Sequence, residues 1–325
     1  MHRGIAFIVI GATLCLAGCG RGNEGAKQGP TIGFALTTLN NPFFIDMKKG
    51  AEATAQELGV RLIIQASERD IDVEKQMQIV ENLIQRKVDA ICVTPNGARE
   101  IVPAIVKATQ AGIPVFVVDM RVDEKTLKEA GGSIVSFAGS DNFEGGRLAG
   151  EFVASKLGGK GLAAILEGVP GHETGESRSK GFRAAVKDKP GIHLVSSQSG
   201  GFDRAQGYNV MQNVMQAHPN LQAVFACNDL MALGAMEAIA ASGKTGSIVV
   251  VGFDAIDEAR EAIRSGKMDA TIAQYPAEMG RVAVESAVKT LKGERVPAFI
   301  PVKIELITKA NVDSMTVQHE EKHGQ

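Results

Sequence analysis

Thr37-Thr38-Leu39-Asn40-Asn41-Pro42-Phe43-Phe44 joins two hydrophobic patterns of different period. Before it, Thr31–Leu36 is a short apolar run that reads as a buried strand. After it, Pro42–Leu58 reads as an amphipathic helix, with Asn41 at the N-cap and Pro42 at the first helical position. Two amides, two hydroxyls and two phenyl rings therefore gather at the carboxyl end of a strand, where open α/β sheets bind ligands. Polar groups beside aromatic faces suit a molecule with hydroxyls on its edge and C–H bonds on its face, such as a free sugar. The octet also reads as an ordinary capped helix with two core phenylalanines.

The same rhythm continues along the chain. Strand-like runs at Val60–Gln65, Val88–Val93, Ile113–Val118, Ile134–Ala138, Leu162–Leu166, Ile192–Ser196, Ala223–Ala226, Ile248–Phe253, Ala270–Ala273 and Val302–Leu306 alternate with helical patterns. This alternation predicts an α/β fold with parallel sheets covered on both faces. So many strands overfill one sheet, and the rhythm restarts near Ser140-Asp141-Asn142. The 325 residues suit two similar β/α lobes. The polar excursion Lys125–Gly132 reads as a surface turn before the break.

Composition narrows the function. Hydrophobic residues make up 44% and charged residues 22%, as in a globular chain. A net charge of −2 leaves no basic footprint for nucleic acid. Residues 1–18 read as a leader: Arg3, then the apolar run Ile5–Leu16, too short to span a bilayer comfortably. Leu16-Ala17-Gly18-Cys19 matches the bacterial lipoprotein box, so Cys19 is the expected lipidated N-terminus of an exported chain. An ordinary secretory signal cut nearby is the alternative. Residues 19–30 are Gly-rich and polar and read as a flexible tether. Cys92 and Cys227 lie in apolar runs and read as buried free thiols.

Polar groups and rings recur after the strands. Thr37, Asn41, Phe43 and Phe44 follow the first; Asp119, Met120 and Arg121 the fourth; the loop Glu167–Arg178 the sixth. Phe202, Asn228, Asp254 and Gln274 follow later ones. Sheet ends from both halves thus define a cleft. Carboxylates accept from hydroxyls, amides donate and accept, and a guanidinium donates through a planar fork. Phenyl rings cover apolar ring faces. Asp119 and Asp254 also have the composition of a glycosidase acid/base pair, and Asp with Arg that of an amino-acid site. No nucleophile elbow, phosphate loop or metal-ligand spacing accompanies them. The six His are scattered and read as surface residues.

These residues carry a resemblance. The chain is similar to the ribose-binding protein group of periplasmic sugar-binding proteins from Thr31 to about Lys309. The matched stretches are Thr38–Phe44, Gly201-Phe202-Asp203-Arg204, Asn209–Asn213, Ala223–Asp229 and Val250–Asp254. The resemblance implies the periplasmic binding protein type I fold: two three-layer α/β lobes with parallel sheets, joined by a three-strand hinge. It places the first lobe at residues 31–140 plus 275–303, and the second at 141–274 plus 304–325. Its crossings fall near Ser140–Asp141, Gln274–Tyr275 and Lys303–Ile304.

It also implies ligand contacts at Thr37, Asn41, Phe43, Phe44, Asp119, Arg178, Phe202, Asn228, Asp254 and Gln274. The implied role is delivery of a monosaccharide or related polyol to an ABC permease and its ATPase. No catalysis, cofactor, metal or nucleic acid is expected, and the chain is expected to be a monomer. A sensory receptor would bind in the same way. Repressors that share the fold begin instead with a DNA-binding helix-turn-helix. One departure stands out: ribose binders carry Arg directly after the Asp at 119, where this chain has Met120 and then Arg121. Either a one-residue bulge restores the Arg, or the ligand differs.

Overall fold

The computed structural model describes residues 1–2 and 29–315. The leader, Cys19, most of the tether and residues 316–325 lie outside the described residues. The first half runs β1 (Thr31–Thr38), α1 (Pro42–Leu58), β2 (Arg61–Ser67), α2 (Val73–Gln85), β3 (Ala90–Val93), α3 (Val102–Gln110), β4 (Val115–Val118), α4 (Glu124–Glu129) and β5 (Ser136–Gly139). The second runs α5 (Asn142–Lys156), β6 (Lys160–Glu167), α6 (Glu173–Lys187), β7 (Gly191–Ser199), α7 (Arg204–Ala217), β8 (Ala223–Ala226), α8 (Asp229–Ala241), β9 (Val249–Asp254), α9 (Asp257–Arg264) and β10 (Ala270–Ala273). Then follow α10 (Pro276–Leu291), β11 (Phe299–Pro301) and β12 (Glu305–Thr308).

The strands form two six-stranded sheets, ordered β11-β5-β4-β3-β1-β2 and β12-β10-β9-β8-β6-β7. The chain passes between them after β5, after β10 and between β11 and β12. The first sheet is parallel throughout. In the second, β12 runs antiparallel to β10, an edge the strand rhythm did not anticipate. The expected strand Val302–Leu306 instead straddles a crossing: only Glu305 and Leu306 lie in a strand, β12, while β11 ends at Pro301 in the other sheet. Residues 302–304 spend their length on the crossing, and a chain entering that way meets β10 head to tail.

The polar stretch Lys125–Gly132 is also more ordered than a turn. Asp123 Oδ1 accepts from Thr126 N at 2.8 Å, and buried Leu127 anchors the resulting helix α4.

Both faces of each sheet are covered. In the first, Phe34, Cys92 and Phe116 pack with Phe43, Phe44 and Met47 of α1 and with Met279, Ala283 and Val284 of α10. The opposite face packs against α2 and α3 through Leu83, Ile101 and Ile105. Cys92 and Cys227 are buried free thiols. Helices α5 and α6 approach closely because Gly146 has no side chain: a Cβ there would stand 1.9 Å from the Arg178 carbonyl oxygen. That approach sets where the Arg178 side chain emerges.

Candidate functional site

Nearly every expected contact reaches one place. Asn41, Phe43, Phe44, Asp119, Arg178, Phe202, Asn228, Asp254 and Gln274 line a narrow cavity of about 30 Å³ between the two sheets' carboxyl edges. The lining residues come from the ends of strands in both sheets. The cavity shares Asn41, Asp70 and Phe202 with a wider outer groove of about 400 Å³.

The first lobe supplies rings and an amide. Asn41 caps α1, its Oδ1 accepting from Phe43 N at 3.0 Å, which leaves its NH₂ free to donate. Phe43 and Phe44 meet edge to face with centroids 5.1 Å apart. Asp119 follows β4 in a left-handed conformation, φ +68°. Its backbone N–H donates to Ala138 O at 2.8 Å, while its Oδ1 has no partner. Burial pushes the Asp119 carboxyl up to about 7, against the pull of Arg178.

The second lobe supplies charge. Arg178 Nε donates to Asn142 Oδ1 at 2.8 Å and Nη1 to Cys227 O at 2.7 Å. The guanidinium lies 3.9 Å above the Phe253 ring and 3.6 Å from Asp254 Oδ1. Asp254 Oδ1 also accepts from Gln274 Nε2 at 2.8 Å, leaving Gln274 Oε1 unpartnered. Burial raises the Asp254 carboxyl to about 6, opposed by Arg178. Asp254 and Ala255 both have positive φ, +114° and +57°. Asp229 holds this turn: its Oδ2 accepts from Ile256 N at 2.9 Å and its Oδ1 from Thr271 Oγ1 at 2.7 Å.

Phe202 also has a left-handed backbone, φ +59°, and its ring lies against Gly168, where a Cβ would meet Cζ at 2.1 Å. Asn228 caps α8 through Oδ1 and donates from Nδ2 to Phe202 O at 3.1 Å. Among the described residues, no group of three or more His, Cys, Asp or Glu is placed to hold a metal ion.

Residues 32–295 match the family model of the periplasmic binding protein domain. The chain belongs to this family. It is 41% identical over 287 residues to the ribose import binding protein of Bacillus subtilis (strain 168), covering 88% of this chain and 90% of that one. It is 38% identical over 281 residues to the D-allose-binding periplasmic protein of Escherichia coli (strain K12), covering 84% and 90%. Among solved structures, a periplasmic solute-binding protein from Actinobacillus succinogenes 130z with bound D-allose superposes with a TM-score of 0.85 at 39% identity, covering 88% and 99%. One from Bacillus halodurans C-125 with bound myo-inositol gives 0.81 at 32% identity, covering 89% and 98%.

Within this periplasmic binding protein, Thr37 is the expected contact that does not line the cavity. Its Oγ1 donates to Thr94 O at 2.9 Å and stands 3.0 Å from Thr94 Oγ1, joining β1 to the end of β3. The departure after Asp119 is also resolved. Met120 is fully buried, and exposed Arg121 stacks 4.2 Å over Phe137 and 4.7 Å over Phe299. Arg121 is not among the lining residues, so no bulge restores an Arg to the cavity.

Three lining residues escaped the sequence reading: Asp70, His172 and Thr174. Asp70 follows β2 on the same sheet edge, and burial raises its carboxyl to about 6. His172 corrects the view that every His is a surface residue: it is 8% exposed, and burial, aided by Arg178, lowers it to about 4. Both residues follow strands, which is the signal that would have found them.

Proposed function

We propose that this chain is the solute-binding component of an ABC importer, capturing a monosaccharide or related polyol between its lobes. The observation that carries the reading is the cavity itself. Unpartnered Asp119 Oδ1 and Gln274 Oε1, with the Arg178–Asp254 pair, stand among Phe43, Phe44 and Phe202. Buried polar atoms without partners are rare in folded proteins and await a ligand that pairs with them. Arg178 is already engaged by Asp254, Asn142 and Cys227, which disfavours an amino acid whose carboxylate needs a free fork. We take the nine implied residues other than Thr37 as contacts, with Thr37 supporting them from behind.

The lobes, residues 31–140 plus 275–303 and 141–274 plus 304–325, are read as rigid bodies turning about the three crossings. Ligand bound to both lobes favours the closed state, which the permease distinguishes from the open one. A lipid on Cys19 tethers the chain outside the cytoplasm, and no covalent chemistry takes place in the cleft. Without a guanidinium after Asp119, ribose is one candidate among several. A thermal-shift panel of pentoses, hexoses and polyols tests the reading, because a tight ligand raises the melting temperature by mass action. A flat response across neutral sugars and polyols, with a shift from amino acids, refutes it.

A further inference from the structure

The chain turns sharply at the end of β9, where Asp254 and Ala255 have φ of +114° and +57°. Residues with side chains rarely adopt such values, and they persist only where the surroundings fix them. Much of the fixing comes from one side chain that does not line the cavity. Asp229 is fully buried at the first position of α8, directly after the lining residue Asn228. Its Oδ2 accepts from Ile256 N at 2.9 Å, and its Oδ1 accepts from Thr271 Oγ1 at 2.7 Å. Thr271 Oγ1 in turn accepts from Ala255 N at 3.3 Å. The two backbone N–H groups that follow Asp254 therefore both end on Asp229, one directly and one through a hydroxyl.

The neighbouring strands are shaped around this carboxyl. A Cβ on Gly252 of β9 would collide with Asp229 Oδ1. Thr271 pairs with Gly252 across β9 and β10, three residues before Gln274. Asp229 is thus tied to three lining residues: to Asn228 along α8, to Asp254 through its turn, and to Gln274 along β10. Burial and the nearby Asp254 push the Asp229 carboxyl well up from its ordinary value. A buried carboxyl is costly, and an apolar side chain would fill the space without that cost. What the carboxyl adds is the hold on the turn. The backbone at 254 decides where the Asp254 carboxylate stands, 2.8 Å from Gln274 Nε2 and 3.6 Å from Arg178 Nη1.

We propose that Asp229 is a positioning residue for sugar binding: through Ile256 N and Thr271 it holds the Asp254 turn in the geometry that presents the Asp254 carboxylate to the ligand. This rests on the reading of the cleft as a monosaccharide site.

The test starts from the full chain and a panel of D-ribose, D-allose, their single-carbon epimers and myo-inositol. The sugar giving the largest thermal shift is titrated by calorimetry into wild type, Asp229→Ala, Asp229→Asn and Thr271→Val, at a temperature where each is folded. Asp229→Ala should bind about tenfold more weakly, and Thr271→Val, which breaks only the relayed bond, about threefold. Asp229→Asn should restore binding to within about twofold, because its Oδ1 can accept from Ile256 N and its Nδ2 can donate to Thr271 Oγ1. Gly158→Ala, which strains a turn at the amino end of β6, is the control for lost stability and should keep its affinity. A folded Asp229→Ala with affinity within about twofold of wild type overturns the proposal. So does an Asn variant that loses as much as Ala, or a Gly158→Ala chain that loses affinity equally. If Asp229→Ala does not fold, Thr271→Val decides: the threefold loss supports the proposal, and wild-type affinity refutes it. If no panel sugar binds wild type, the monosaccharide reading itself fails, and the proposal with it; sugar binding that ignores Asp229 sinks the proposal alone.

Discussion

Arg178 Nη1 and Asp254 Oδ1 lie 3.6 Å apart, with each side chain only 6% exposed. They form a buried ion pair that begins on two different elements, α6 and the end of β9. Each charge also has neutral hydrogen-bond partners, which offsets part of the cost of removing both from water.

Arg178→Ala should therefore do more than remove a ligand contact. It leaves the Asp254 carboxylate buried without its counter-charge and Asn142 Oδ1 without its donor. Loss of about 3–5 kcal/mol of stability is expected, as for other broken buried pairs. Denaturant unfolding of the unliganded chain measures it, and a loss below about 1 kcal/mol would show that the pair carries little of the fold's stability.

Stability of the unliganded chain should fall as pH rises from about 4 to about 7. Asp119 and Asp254 sit near 7 and 6 in the fold because burial disfavours their charged forms. The unfolded chain ionises them near 4, so within this window the native state holds more protons, and stability declines with rising pH. Asp119→Asn should flatten the decline. Urea titrations at stepped pH values check both, and an equally steep slope in the variant would exclude Asp119 as its source.

Arg121→Ala should leave sugar affinity within about twofold, because the guanidinium stacks on Phe137 and Phe299 outside the cavity. Its cost is the cation–π contact, about 0.5–1 kcal/mol of stability. A large affinity loss by calorimetry would mean that Arg121 swings inward on ligand binding.

Gly146→Ala should disturb the site from a distance. The new methyl would collide with the Arg178 carbonyl and push α6 from α5. A stability loss of about 1–3 kcal/mol should accompany weaker sugar binding. Ala at Gly158, where the left-handed turn is strained but nothing lies within 4 Å, should lower stability without changing affinity. Melting temperatures and binding constants measured together separate the two.

Small-angle scattering should show compaction when the best-binding sugar is added. The narrow cavity is lined from both sheets, so a ring held there would draw the two halves together. An unchanged radius of gyration at saturating ligand would remove the hinge from the mechanism.

Much of this site was visible in the residues. Asn41-Pro42 marks a cap and a first helical position, and the structure has both. Strand-end positions led directly to Asp119, Asn228, Asp254 and Gln274, because an apolar run ending in a polar residue marks a sheet edge, whereas Arg178 stands on α6 and Phe202 in the loop after β7. What stayed hidden depends on backbone turns that no periodicity carries. Asp119 adopts φ +68°, so strand alternation no longer governs Met120 and Arg121, and the two open accounts could be separated only in three dimensions. His172 was passed over because it sits inside the loop Glu167–Arg178, where following a strand does not say which side chain turns inward. Its burial follows from Phe202, which lies 30 positions further along the chain. Thr37 fits the octet's polar face, but Thr94 takes up its hydroxyl from another strand.

The three crossings also govern when this molecule can fold. Met279, Ala283 and Val284 of α10 seal one face of a sheet whose first strand begins at Thr31. Until the ribosome has made α10 and β11, that face stays bare and the sheet lacks one edge. A nascent chain halted after β10 therefore holds an unfinished first lobe, sticky and open to proteases, however complete the second has become. The sheet that starts at Thr31 is completed only when α10 and β11 arrive.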